Sequence, residues 1–238
     1  MNTRSPSAEK PIATDRRSET RWESTLQNVR TIGGALFLAF TIRTCLVEPF
    51  EIEGPSMEPT LLNGDRVVVA KFPFGLYLPL REEADLNWSG PNPGDVVVLR
   101  SPADGVDIIK RVIGVAGDLI EVRGDRVYRN GQALPASDVA ACTTGTGAHQ
   151  PDCRVYESKI GERDFRLSTA HITPDPVPTR VPERHVYVLG DHRDHSNDSR
   201  NPALGAIPLT RIKGRALLIY WSRGEDGIRF DRLFKQLH

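Results

Sequence analysis

The chain has 238 residues, 39% hydrophobic and 26% charged, and its 31 basic residues balance 31 acidic ones. That length fits one domain with additions or two small ones, and a formal net charge of zero excludes a protein built chiefly to grip nucleic acid phosphates. The composition also excludes collagen, a coiled coil, a disulfide miniprotein and a multi-span membrane protein; 18 prolines and 20 glycines point to a turn-rich, mainly β chain.

Residues 1–30 mix Ser, Thr, Arg and Glu and read as a polar tail. Residues 31–47 then form an apolar run broken only by Arg43 and a few small polar residues. As a helix this run reaches about 25 Å, a little short of a ~30 Å hydrocarbon layer, and Arg30 and Arg43 can snorkel toward opposite headgroup layers. A core helix is the plain alternative. A cleaved leader does not fit, because no small-x-small site follows Ile42 and the preceding tail is long. Arg4, Lys10, Arg16, Arg17, Arg21 and Arg30 precede the run. As a single transmembrane anchor it therefore keeps the N-terminus cytoplasmic and puts everything after Val47 on the opposite side.

From Glu48 onward the pattern changes to short alternating segments, which predict strands over 50–52, 65–71, 95–100, 106–115, 118–122 and 126–129, the last turning at Asn130-Gly131. Further strands are expected over 185–189 and 213–221. The expected organisation is a main β domain of residues 48–122 and 184–238, with a β-rich subdomain inserted at 123–183. Pro, Thr and Ser concentrate in that insertion from about 132. It also holds Cys142 and Cys153, which form either a disulfide clip, if they face an oxidising compartment, or two free thiols. Cys45, in the apolar run, is most simply a buried thiol.

Three segments carry chemistry. In Glu53-Gly-Pro-Ser-Met-Glu-Pro-Thr60, two prolines flank Ser56 and rule out a helix interior or central strand. The segment is a rigid turn presenting one hydroxyl, or an ordinary surface turn. In Val106-Asp-Ile-Ile-Lys-Arg-Val-Ile113, period-2 alternation puts Lys110 on one face with Val106, Ile108 and Val112. Burial lowers the pKa of such a lysine and makes a neutral amine available near pH 7; the plain alternative is a packed stem with its head in water. Gly190-Asp-His-Arg-Asp-His-Ser-Asn-Asp-Ser-Arg200 follows an apolar strand directly and reads as a site loop. Its donors, with His185, His192, His195, Asp191 and Asp194, would suit a divalent ion, but no spacing matches a zinc pattern and Arg193 would stand among them. A hydrogen-bonded loop is the better reading, and no metal is expected.

Taken in this order, Pro-Ser-Met-Glu-Pro-Thr-Leu61, Asp107-Ile-Ile-Lys-Arg-Val-Ile-Gly-Val-Ala-Gly-Asp118 and Gly190 to Arg200 resemble the motifs of bacterial type I signal peptidases, membrane-anchored serine proteases with a Ser/Lys dyad. The resemblance covers roughly residues 31–122 and 184–232. It implies a coiled antiparallel β-sheet catalytic domain, Ser56 as nucleophile and Lys110 as general base acting through an acyl-enzyme. Ser196 would orient the Lys110 amine, and Asp198 and Arg200 would hold the loop by an ion pair. The backbone N–H of Ser56 would meet the oxyanion, and Gly54 stands where some members add a serine hydroxyl. His192 and His195 depart from the Asn that the family usually has. Phe50, Ile52, Met57, Leu61, Val67, Ile108 and Ile109 would line two shallow pockets that select small residues at −1 and −3 of exported preproteins, typically Ala-x-Ala.

The partners so implied are preproteins and the lipid bilayer of the bacterial cytoplasmic membrane, with the catalytic domain on its outer, periplasmic side. A monomer without cofactor or nucleic acid is expected. A self-cleaving repressor would need a DNA-binding domain where this chain has a tail and an apolar run. A tethered binding module would leave Ser56, Lys110 and Ser196 unexplained, and no His lies in a nucleophile-elbow context.

Overall fold

The computed structural model describes residues 26–37, 46–76, 86–124, 126–143, 149–170 and 176–237. Contacts divide the chain into a unit ending at Ile42 and a second running from Arg43 to His238. In the first unit, residues 26–37 are helical. The helix thus begins inside the expected polar tail, because Leu26, Val29, Ile32 and Leu36 recur at helical spacing along one exposed stripe. Positions 38–45, which hold most of the remainder of the expected anchor together with Cys45, lie outside the described residues. Among the described residues no helix is long and apolar enough to cross a membrane.

The second unit is almost wholly β. In chain order its strands are β1 (Val47–Glu51), β2 (Asp65–Ala70), β3 (Gly75–Leu76), β4 (Leu86–Asn87), β5 (Val96–Arg100) and β6 (Asp107–Val115). There follow β7 (Leu119–Arg123), β8 (Arg126–Arg129), β9 (Gln132–Ala133), β10 (Ala136–Thr143), β11 (His149–Ile160) and β12 (Arg163–Thr169). The series ends with β13 (Thr179–Arg180), β14 (His185–Leu189), β15 (Ile207–Pro208), β16 (Ile212–Gly224) and β17 (Gly227–Ile228). The main sheet runs β1-β2-β16-β5-β6-β14-β15, with β17 beside β16. Each of its named pairings is antiparallel. β16 pairs with both β2 and β5, and register shifts at Ile212/Gly214, Ala216/Leu218 and Ile219/Trp221 curl the sheet where one straight strand could not serve both neighbours.

The insertion supplies most of two smaller sheets, β10-β11-β12 and β13-β7-β8-β9. β7 pairs with β8 and β13, so this smaller sheet takes in the chain from Leu119. The turn is local: Asn130 and Gly131 have φ of 55° and 79°, the left-handed pair of a tight hairpin. Cys142 and Cys153 are joined by a disulfide, with Cα atoms 5.2 Å apart. Ile113, Tyr187 and Leu189 of the main sheet share one buried cluster with Ile120, Val127, Ile160, Phe165 and Val181, which fastens the insertion to that sheet. A second cluster, Ile52, Met57, Leu61, Val67, Val69, Val96, Ile109 and Ile219, packs under the turn that carries Ser56.

Candidate active site

The turn after β1 presents Ser56, and its backbone is closed by Glu58 N–H to Pro55 O at 3.0 Å and Leu61 N–H to Met57 O at 2.9 Å. Met57 and Leu61 are fully buried, so the turn is pinned by the core on one side and offers its hydroxyl on the other. Gly54 has φ +84°, a conformation that L side chains rarely adopt, with open space where a Cβ would stand. No second hydroxyl donor can come from this position. The Ser56 N–H donates no backbone hydrogen bond among the described residues.

Lys110 comes from the middle of β6 and is 3% exposed. Its Nζ lies 3.0 Å from Ser56 Oγ and donates to Ile109 O at 2.8 Å. Burial lowers its pKa from the ordinary 10.5 to about 8, with the Asp198 and Asp191 carboxylates pulling weakly the other way. Val106, expected on the lysine's apolar face, is instead 54% exposed, because β6 begins only at Asp107.

A cleft of about 300 Å³ opens beside the pair, lined by Phe50, Glu51, Glu53, Ser56 and residues 106–110. Five consecutive residues line it because β6 presents an edge there. β5 covers positions 107–111 from one side, whereas β14 begins its pairing only at Arg111. Ile108 and Ile109, which strict alternation sends to opposite faces, therefore both reach the cleft. Of the remaining residues expected in the pockets, Phe50 lines the cleft, while Ile52, Met57, Leu61 and Val67 pack in the core beneath it.

The loop after β14 closes the site from behind. Gly190 is packed so tightly that a Cβ there would overlap Ser196 Oγ and the Ser56 carbonyl oxygen, which explains glycine at this position. Asp198 is buried, accepts from Gly190 N–H at 2.9 Å, and holds Arg200 through Nε at 2.8 Å and Nη2 at 2.9 Å. Arg200 reaches on to Arg193 O at 2.6 Å. Ser196 Oγ stands at the site buried and without a hydrogen-bond partner; it makes no bond to Lys110 in this structure.

The donors weighed for a metal are otherwise engaged: His192 and His195 bond each other through ring nitrogens, His185 bonds Glu183 O, Asp194 accepts from Ala170 N–H, and Asp191 pairs with Arg111.

Arg111 is the site residue that sequence reasoning missed. It is 1% exposed, grips both oxygens of Asp191 at 2.9 and 2.7 Å, donates to Gly94 O at 2.8 Å and lies over the Phe165 ring at 4.5 Å. Standing next to Lys110 on β6, it locks the start of the 190–200 loop to the strand that carries the amine. Its signal was available: a second charge in the apolar pattern of β6, adjacent to the first. The insertion joins in through β12, where Ser168 N–H donates to Asp191 O at 2.8 Å and Ser168 Oγ to Glu58 O at 3.1 Å.

Comparison with known proteins places the whole chain. The family described as signal peptidase, peptidase S26, matches residues 25–221. The signal peptidase I of Pseudomonas fluorescens is 35% identical over 201 residues, covering 79% of this chain and 69% of that protein. The signal peptidase I P of Bacillus subtilis subsp. natto is 31% identical over 194 residues, covering 81% and 87%. A crystal structure of a signal peptidase I from Enterococcus faecalis V583 is similar with a TM-score of 0.34 at 26% identity over 53% of this chain and 97% of that one, too loose a likeness to carry an argument. On the family match and the identity to these relatives, the chain belongs to the signal peptidases of the peptidase S26 family, hydrolases that remove signal peptides.

Proposed function

We propose that the chain cleaves exported preproteins after small residues at −1 and −3, with Ser56 as nucleophile and Lys110 as general base. The observation that carries this reading is the 3.0 Å separation of Lys110 Nζ from Ser56 Oγ, with the amine buried beside a cleft. A pKa of about 8 leaves roughly one-tenth of the lysine neutral at pH 7, enough for a base whose strength is matched to its task. The neutral amine takes the Ser56 proton as Oγ attacks the carbonyl carbon. The oxyanion forms beside the Ser56 N–H. Collapse expels the amine of the mature chain, which takes the proton back from Lys110. Water, deprotonated by Lys110, then attacks the ester, and Lys110 returns that proton to Ser56 Oγ as it leaves.

The substrate adds as an extended strand to the edge of β6 at 107–110 that β14 leaves unpaired. Phe50, Ile108 and Ile109 wall the cleft beside Ser56, and such an apolar wall favours alanine by excluding larger side chains sterically. Residues 31–47 hold the enzyme in the bacterial cytoplasmic membrane as a single anchor, with the catalytic unit outside and the chain a monomer.

The test is cleavage of a preprotein with an Ala-x-Ala site by full-length enzyme in detergent. Wild type should cut at that bond, and Ser56→Ala and Lys110→Ala should each abolish cutting while keeping the thermal unfolding transition. A near-normal rate in Lys110→Ala would place the base elsewhere. Carbonate extraction of cell membranes tests the anchor: release of the full chain into the supernatant would refute it.

A further inference from the structure

Behind the nucleophile turn lies a cluster that the reaction above does not use. His192 is 3% exposed, and its backbone N–H donates to Ser56 O at 3.1 Å. Its Nε2 shares a hydrogen bond with His195 Nδ1 at 2.9 Å, the ring centroids 4.3 Å apart. Its other nitrogen, Nδ1, is buried without a hydrogen-bond partner and lies 4.0 Å from Glu58 Oε2. Glu58 stands two residues after Ser56, and its own N–H helps to close the turn.

Two neutral imidazoles facing each other share a single proton in the N–H···N bond. That leaves His192 Nδ1 either a bare acceptor or a donor with only the Pro55 carbonyl near it, outside good hydrogen-bond geometry, and both are costly in a buried place. One added proton removes the conflict. The His192 imidazolium donates from Nε2 to His195 Nδ1 and from Nδ1 to the Glu58 carboxylate. A charge-assisted N–H···O bond closes at about 2.7–2.9 Å, so the present 4.0 Å gap must shrink by about 1 Å.

We infer that His192, His195 and Glu58 form a proton-operated positioning device for Ser56: the neutral cluster leaves the turn as observed, and one proton draws Glu58 onto His192 and moves the nucleophile out of line with Lys110. This rests on the reading of Ser56 and Lys110 as the reacting pair. The charged groups around the cluster are Asp194 on its own loop, facing His192, and Arg229 and Arg232 of the C-terminal segment, facing Glu58; Asp231 and, from β12, Arg166 line the same groove. Burial, followed by the neighbouring His195, holds His192 below its ordinary value against the opposing pull of Asp194 and the Pro55 carbonyl. Burial also raises Glu58, against the opposing pull of His195, Arg229 and Arg232. The two groups thus move toward each other, and the proton enters on the acid side of neutrality. A nucleophile misplaced by about 1 Å loses on the order of 100-fold in rate.

The experiment is kcat/KM of the full-length enzyme in detergent on an Ala-x-Ala preprotein between pH 5 and 9, for wild type, Glu58→Gln and the double variant His192→Asn, His195→Asn. Loss of the Lys110 base alone gives a log–log slope of one on the acid side. Wild type should steepen toward two as the pH falls further. Both variants should keep a slope of one and exceed wild type about tenfold at pH 5, while matching it within about threefold at pH 9. The ¹⁵N resonances of His192 in Ser56→Ala enzyme should titrate, and Glu58→Gln should move that titration to lower pH. A wild-type slope of one down to pH 5, or steepening that persists in both variants, overturns the device. The histidine titration does not depend on catalysis, so failure of the dyad reading, seen as activity surviving in Lys110→Ala, is distinguishable from failure of the cluster.

Discussion

Replacing Lys110 by Met should stabilise the protein at neutral pH while abolishing its activity, and the gain should vanish as the solution becomes alkaline. The amine is held at about 8 in the folded chain against an ordinary 10.5. Below pH 8 both states carry the proton, and the folded state bears a buried ammonium. Between 8 and 10.5 the unfolded chain still binds a proton that the folded one has released, so stability rises with pH through this window. Above 10.5 neither state is protonated and the term is spent. The full difference corresponds to about 3 kcal/mol, of which about 2.5 kcal/mol appears between pH 7 and pH 10. Methionine has a similar volume and no charge, but it leaves Ile109 O and Ser56 Oγ without their donor, which costs about 1–3 kcal/mol at every pH. The decisive quantity is therefore the pH dependence of the difference between the two proteins, in which the other ionisable groups cancel. Denaturant unfolding of wild type and Lys110→Met, full-length in detergent, should show wild type gaining about 2.5 kcal/mol on the variant between pH 7 and pH 10. A difference that stays flat across that interval would refute the claim that burial depresses the lysine.

Three further outcomes follow from the geometry. Arg111→Met strands the Asp191 carboxylate in a buried place and should cost about 3–5 kcal/mol, read as a fall in the unfolding midpoint, with Asp191→Leu in the same chain restoring part of the loss. Gly190→Ala should cut kcat at least tenfold with a smaller proportional change in KM, since its Cβ would press on Ser196 and on the Ser56 carbonyl; preprotein cleavage kinetics measure it. Replacing Cys142 and Cys153 together by Ser opens a loop whose ends are 11 residues apart and should cost up to about 3 kcal/mol, with proteolysis of the β10–β11 region in native enzyme as the check.

The strands were legible because alternation and turn chemistry are local. The segment 126–129 with its Asn130-Gly131 turn, 185–189 and 65–71 all appear within a residue or two of their expected bounds. Ser56 and Lys110 stood out as local anomalies, a serine between two prolines and a charge in an apolar strand, while the roles expected of them came from the resemblance of three ordered motifs. Their contact at 3.0 Å joins positions 54 residues apart, which alternation cannot see.

What the sequence by itself determined is therefore the β character of the chain, the turn that displays Ser56, and the polar loop after β14, all consequences of side-chain period and backbone restriction. What only the tertiary structure decided is which residues meet. Ile108 and Ile109 share a cleft because β14 stops pairing at Arg111 and exposes an edge. Ile52, Met57, Leu61 and Val67 sink into the core beneath that cleft, and Arg111 finds Asp191 across 80 positions. His192 comes to lie behind Ser56, its Nδ1 buried without a well-formed hydrogen bond. Such juxtapositions depend on how the sheet curls and where a strand runs out of partners, and curvature is set by register shifts between distant strands rather than by any one segment.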